Sequence, residues 1–275
     1  MQEHGFKYLK LTEPLPNVLC VALHRPKKLN AIHREMFEEI GKCFSSVDPR
    51  FRCVVLQGDG RMFTAGLDLN EAPLGENGAA DPEDPARVGF YNQRGVRDLQ
   101  SYLSAIEACS MPVIAAIHGG CIGAGVDIIC CACIRLASAD AYFRIQEVNV
   151  GLCADIGTLQ RLPRLGVNHS KMFEWAYTGR KFTAAEAHSS GLLSDVYPNK
   201  EDLQKAALKL AGDIAEKSPV AVVGTKANLL FSREHQVEES LRFQALWASL
   251  YLQTSDVRNA IIAVLQKKKP TFSRL

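Results

Sequence analysis

Hydrophobic positions alternate along this chain between short unbroken runs and stripes of helical spacing. Val18 to Leu23 and Cys53 to Gln57 are apolar runs of strand length. Between them, Arg34 to Val47 carries apolar side chains at 36, 37, 40, 43, 44 and 47, one face of a helix. Together they predict a β-α-β start. Asp59-Gly60 then turns the chain into Met62 to Leu69, a strand-like run whose Gly66 implies close approach of the backbone to a neighbouring group such as a ligand.

From Asn70 to Gly89 no period survives among the prolines, glycines and acids, which reads equally as a functional lid or an inert insertion. A helix is expected from Phe90 to Cys109, ended by Met111-Pro112 before a strand at Val113 to Ile117. Beyond Pro198 the spacing is helical throughout: Lys200 to Lys217, Val220 to Ser232, Val237 to Gln253 and Ser255 to Lys268, with breaks at Ser218-Pro219, Arg233 and Thr254. The expected organisation is an α/β core over 1–199 and a helical region over 200–275.

Composition narrows the classes of function. At 275 residues, with 47% hydrophobic and 23% charged, the chain has the make-up of a soluble globular protein. A formal net charge of +2 gives no polyanion signal, so nucleic acid is not expected as a partner. No apolar run reaches the roughly 20 residues that span a bilayer, since His118, Asp127 and Arg135 interrupt the longest candidates. The nine cysteines, an odd number mostly inside apolar runs, read as reduced packing thiols in an intracellular setting. Cys130 and Cys133 form a C-x-x-C without a second pair, so no metal is expected. The first residues carry no secretory or transit pattern, while Ser273-Arg274-Leu275 resembles the C-terminal peroxisomal address and would engage its import receptor.

Three acids stand in a stretch that otherwise reads as core: Asp127, Glu147 and Asp155. Burial and like-charge crowding raise a carboxyl pKa toward neutrality, which suits proton transfer. Just before them, Gly119-Gly120-Cys121-Ile122-Gly123-Ala124-Gly125 passes from strand to helix through glycines. Such a turn exposes unpaired N–H groups to an anionic oxygen, yet it has neither Walker nor dinucleotide spacing.

Four motifs give these features a family. L-H-R-P-x-x-x-N-A at 23–31, F-T-A-G-L-D-L at 63–69, I-A-A-I-H-G-G-C-I-G-A-G-V-D at 114–127 and E-V-N-V-G-L-x-A-D-I-G-T-L-Q-R-L-P at 147–163 resemble the enoyl-CoA hydratase/isomerase (crotonase) superfamily. The resemblance covers nearly the whole chain. It is strongest toward the branch that moves the double bonds of 3,5-dienoyl-CoA to the 2,4 position, because hydratases carry Glu where Asp127 stands and a small residue where Asp155 stands.

The resemblance implies a spiral of repeated β-β-α units over 1–199 holding the acyl-CoA site, closed by helices that trimerise, with trimers commonly paired into hexamers. It implies an oxyanion hole from the N–H groups of Leu67 and Ala124, with Ala65, Gly66, Gly123 and Phe63 around the substrate. Relatives often have Gly at the second donor position, so the Ala124 methyl is harmless only at negative φ. It implies no cofactor, coenzyme A being part of the fatty acyl thioester, and a peroxisomal or mitochondrial setting. Hydration of 2-enoyl-CoA and a non-catalytic RNA-binding or scaffolding role are the alternatives.

A diene shift needs a base near C2 and an acid near C6. Glu147 is assigned to C2 and Asp155 to C6, as a coupled pair. Asp127 either positions its neighbours, tunes their protons, or is only an acid favoured at a helix N-terminus. Asp155 also reads as an N-cap ahead of Thr158. His118 is expected as a satisfied core histidine. His24-Arg25 and Lys27-Lys28 read equally as phosphate contacts or loop charge, and Phe63 equally as channel wall or core.

Overall fold

Val18–Leu23 is buried at every position, as its unbroken apolar run requires, and lies inside a six-stranded sheet. The computed structural model describes residues 5–70 and 84–275. In chain order its first elements are β1 (Leu9–Leu15), β2 (Val18–Leu23), α1 (Arg34–Ser45), β3 (Cys53–Gly58), α2 (Pro85–Ala108), β4 (Val113–Ile117), β5 (Gly120–Ile122) and α3 (Ala124–Cys130). There follow β6 (Ile134–Ser138), β7 (Tyr142–Arg144), α4 (Thr158–Arg161), α5 (His169–Thr178), β8 (Phe182–Thr183), α6 (Ala184–Ser189) and β9 (Asp195–Tyr197). The chain then runs through α7 (Lys200–Ala215), α8 (Pro219–Ser232), α9 (Val237–Tyr251) and α10 (Ser255–Leu265).

The large sheet has the order β1-β2-β3-β4-β6-β9, parallel except for the hairpin partner β1. A small sheet has the order β5-β7-β8. Strands β4 and β6 sit in the large sheet, and the strands that follow them, β5 and β7, pair with each other in the small one. Each turn of chain thus lays one strand in each sheet, which is the β-β-α spiral. The segment at 62–67 is the same step one turn earlier. It is not the strand its pattern predicts: it joins its neighbours through single bridges, Ile32 to Leu67 and Thr64 to Cys121.

The main core lies between the sheet and α1, α2 and α3, with Phe37, Phe44, Phe63 and Trp175 among its fully buried side chains. A second core covers the other face, where Leu203, Ala207, Ala211 and Ala215 of α7 meet Val18, Val55 and Leu136. Small residues at i, i+4, i+8 let this helix approach the strands closely. Although the helical spacing groups α7 with the C-terminal region, its packing joins it to the sheet.

Helix α2 starts earlier than its periodicity predicts. Asp84 accepts the Arg87 N–H as N-cap and Pro85 takes the first turn, so Pro85 to Gly89 is helix rather than loop. The rest of the expected 70–89 loop, residues 71–83, lies outside the described residues. At the other end of the chain, Arg52 Nη2 donates to the carbonyls of Phe272 (2.7 Å) and Ser273 (3.1 Å), while Ser273, Arg274 and Leu275 stay exposed.

Candidate active site

Two backbone segments meet at the head of α3. In the bridge between Ile32 and Leu67, the Ile32 N–H donates to Gly66 O (2.8 Å) and the Asp68 N–H to Ile32 O (2.9 Å). That pairing turns the Leu67 N–H to the opposite side. On the neighbouring segment the Gly123 N–H donates to Arg144 O (2.9 Å), and Ala124 is the first residue of α3, too early for an intrahelical acceptor. Among the described residues neither the Leu67 nor the Ala124 N–H has an acceptor.

Glycines set the spacing of these donors. Gly66 has φ +88°, and a Cβ there would stand 2.6 Å from Ile122 O, so the segments touch only because the side chain is absent. Gly123 takes φ +51° and so carries the turn into α3, leaving Ala124 helical and free of positive-φ strain. Leu67, Ala124, Ala65, Gly66 and Gly123 all line one cavity of about 660 Å³.

Glu147 and Asp155 reach the same cavity from the chain after β7. Glu147 opens a 3₁₀ turn, Glu147–Val150, whose exit at Gly151 is left-handed. Its Oε1 lies 3.5 Å from where a Cβ of Gly123 would stand, which puts the carboxyl beside the Ala124 donor, and its Oε2 is buried without a partner. Burial lifts this carboxyl to about 7, and the nearby charges of Asp127 and Asp155 add to the effect. Asp155 is exposed in the isolated chain, yet the apolar wall behind it still raises its pKa.

Asp127 is placed differently. It is fully buried in the first turn of α3, beneath the cavity rather than on its wall. Its Oδ1 accepts the Thr158 N–H at 2.5 Å, while Oδ2 has no partner. Burial raises its pKa to about 6 against the hydrogen bond from Thr158, and Asp155 adds to the rise. Hence the cap expected from Asp155 at Thr158 comes from Asp127, and Gly157, the residue before α4, caps nothing.

A sequence profile described as Enoyl-CoA hydratase/isomerase matches residues 15–274. The chain belongs to this family. Its relatives include the rat protein named Delta(3,5)-Delta(2,4)-dienoyl-CoA isomerase, mitochondrial, 44% identical over all of this chain and 85% of that one. A protein of Arabidopsis thaliana named as the peroxisomal form of the same isomerase is 41% identical over 94% of each chain. The crystal structure of an enoyl-CoA hydratase from Bacillus anthracis, 25% identical, matches with a TM-score of 0.85 over 97% of this chain and 99% of that one. The α/β spiral is therefore the crotonase fold.

In this crotonase several other residues complete the cavity. Helix α2 turns Asn92, Gly95, Val96 and Leu99 toward it, one face at i, i+3, i+4, i+7 that the expected helix contained but that no motif marked. Gln146 lines it as well, and its Oε1, like Glu147 Oε2, is buried without a partner. The only signal for Gln146 in the sequence is its place next to Glu147.

The remaining expectations divide. Phe63 is fully buried in the main core and off the cavity wall, so its place around the substrate is corrected: the bulk its motif supplies fills space between sheet and helices. His118 is a core histidine, bonded through Nε2 to Gly60 O (3.0 Å), and burial lowers its pKa. Arg25 is half-buried and bound to Asp68 (3.0 Å) and Ala31 O, and His24 meets Asp59 (2.7 Å). Cys130 is buried, its thiol pushed up to about 12 mainly by burial, while Cys133 is exposed, and the two are not joined. No group of His, Cys, Asp or Glu that could hold a metal occurs among the described residues, and no helix there is long and apolar enough to cross a membrane.

Proposed function

We propose that this crotonase converts 3,5-dienoyl-CoA into 2,4-dienoyl-CoA in fatty-acid β-oxidation. The observation that carries the reading is that two carboxyls of raised pKa, Glu147 and Asp155, share one largely apolar cavity with the unpaired N–H groups of Leu67 and Ala124. The names of the rat and Arabidopsis relatives support the same reaction.

The thioester oxygen lies against the two N–H donors, which gain strength as charge develops on it, each typically contributing about 3 to 4 kcal/mol in the transition state. Glu147, ionised, removes a proton from C2. The electron pair spreads over the diene into the thioester oxygen, and Asp155, protonated, delivers its proton to C6. The C3 and C5 double bonds become C2 and C4 double bonds, with no water added and no electron leaving the substrate. Coenzyme A enters only as part of that substrate, and the reaction needs no separate cofactor. Afterwards Glu147 holds a proton and Asp155 lacks one, and exchange resets the pair.

Hydration would ask for a second carboxyl beside Glu147 at an attacking water. Asp127, the natural candidate, is buried off the cavity wall, which favours isomerisation. Purified protein supplied separately with 3,5-dienoyl-CoA and 2-enoyl-CoA decides: a change in conjugation of the former is expected, and fast hydration of the latter with no turnover of the former would sink the reading.

Crotonases oligomerise and act on acyl-CoA. Leu229 on α8, Val237, Leu246 and Leu250 on α9, and Val264 and Leu265 on α10 are exposed in the single chain, which supports a homotrimer or homohexamer built on residues 216–265. Sedimentation analysis at micromolar protein tests it, a monomer being the refuting result. Relatives named mitochondrial and peroxisomal support a fatty-acid-oxidising organelle. Imaging a reporter with and without Ser273-Arg274-Leu275 tests whether the expected import receptor reads those residues.

A further inference from the structure

Asp155 lies in no regular element. It stands between Gly151 (φ +76°) and Gly157 (φ +140°), so its carboxyl is held wherever the loop around it is anchored. One anchor is Asp127 under Thr158. The others come from one stripe of α2, Gln100, Ser104 and Glu107, at i, i+4 and i+7 on the face next to the one that lines the cavity.

Gln100 Nε2 donates to the Asp155 carbonyl at 2.7 Å. Ser104 Oγ accepts from Arg161 Nη2 at 2.9 Å, and Glu107 Oε2 accepts from Arg161 Nε at 3.1 Å. Arg161, at the end of α4, packs over the loop: its Nη1 occupies the space where a Cβ of Gly157 would stand, 2.1 Å from that position. Glu107 Oε1 takes a further hydrogen bond from Arg233, the residue that ends α8. Burial pushes the Glu107 carboxyl up, and the two guanidiniums more than offset this, so it stays ionised. The Leu67 and Ala124 donors sit on other segments, Glu147 stands at the far end of the loop, and none of the three makes a hydrogen bond to the stripe.

We propose that the Gln100-Ser104-Glu107 stripe is the positioning device for Asp155, acting on its carbonyl directly and on α4 through Arg161. The inference rests on the reading of Asp155 as the C6 acid. The stripe touches only that arm of the reaction, so loosening it impairs protonation at C6 and spares removal of the C2 proton.

The test compares Gln100→Ala and Glu107→Gln with the parent and with Asp155→Asn, all checked for folding by thermal melts. Each receives 3,5-dienoyl-CoA in D2O, with isomerisation followed by absorbance and deuterium entry at C2 by mass spectrometry. A loose anchor misplaces the acid by a fraction of its reach, so kcat falls about tenfold for Gln100→Ala and up to about a hundredfold for Glu107→Gln. KM and C2 exchange stay within about twofold, since neither reports on C6. Asp155→Asn shows the same split in full.

Exchange and turnover falling together in both variants, or turnover unchanged in both, overturns the proposal. Should Glu107→Gln fail to fold, Gln100→Ala decides alone, because it removes one exposed hydrogen bond. Full turnover in Asp155→Asn would instead overturn the assignment of the acid, a failure distinct from that of the stripe.

Discussion

Asp127 accepts the Thr158 N–H at 2.5 Å, so a buried carboxyl in the first turn of α3 caps the first turn of α4. The two residues are 31 positions apart, and between them lie both Glu147 and Asp155. This single hydrogen bond therefore closes the loop that carries the two cavity carboxyls. Asp127→Ala leaves the Thr158 N–H buried without an acceptor and should cost about 1 to 3 kcal/mol. Asp127→Asn can keep a carbonyl oxygen in place and should cost less than half as much. Urea melts of the two variants measure the difference, and equal losses would mean that the cap contributes nothing.

Asp127 also faces Glu147 through its charge. After burial, it is the largest cause of the rise in the Glu147 pKa to about 7. As a base Glu147 must be ionised, so kcat/KM for the dienoyl thioester should climb about tenfold per pH unit below 7, and because Asp155 must carry its proton the profile should turn down again at higher pH. Asp127→Asn removes the neighbouring charge and should move this acid limb to lower pH. A limb that does not move would detach Asp127 from the proton chemistry and leave it a structural cap.

How much of this arrangement the sequence discloses depends on how far apart the partners are along the chain. Continuous apolar runs gave β2, β3 and β4, and the breaks at Ser218-Pro219, Arg233 and Thr254 separate α7 to α10, because those signals are local. Strand β1 escapes notice: in Leu9–Leu15 only Leu9 is buried, and Pro14 stands at the irregularity between Thr12 and Leu15, which an edge strand tolerates. Thr158 was legible as a helix start in need of a cap. Its cap was not, since neighbouring Asp155 is the local candidate and Asp127 comes near only in the fold. Gln100, Ser104 and Glu107 read as the ordinary polar side of a helix until α4 is laid against them.

Gly66 offers a test of the donor spacing. At φ +88° a side chain strains the backbone, and the added methyl of Gly66→Ala would stand 2.6 Å from Ile122 O. The two segments must then part, and Leu67 moves away from Ala124. Stability should fall by about 1 to 3 kcal/mol, and kcat by about 10²-fold or more if one donor is lost. Ala124→Gly, at a helical position, keeps its N–H and should leave kcat within about threefold while costing up to roughly 1 kcal/mol. Equal activity in Gly66→Ala and the parent would argue against the paired-donor geometry.

Glu147 should make the protein less stable as pH rises. Its carboxyl titrates near 7 in the folded state against an ordinary value of 4.5, so between these values the folded chain holds a proton that the unfolded chain has released. Stability therefore falls as pH rises from about 4.5 to 7, then stays flat, by roughly 3 kcal/mol at most for this group. Glu147→Gln removes that loss: the variant should unfold at higher urea than the parent at pH 8, and at about the same urea at pH 4.5. In the same variant isomerisation should drop by about 10²- to 10⁴-fold, the usual range for losing a general base. A gain in stability at pH 8 with the loss of turnover is the signature of a carboxyl kept in an apolar cavity for its chemistry. Destabilisation at both pH values would place Glu147 among the groups that hold the fold together.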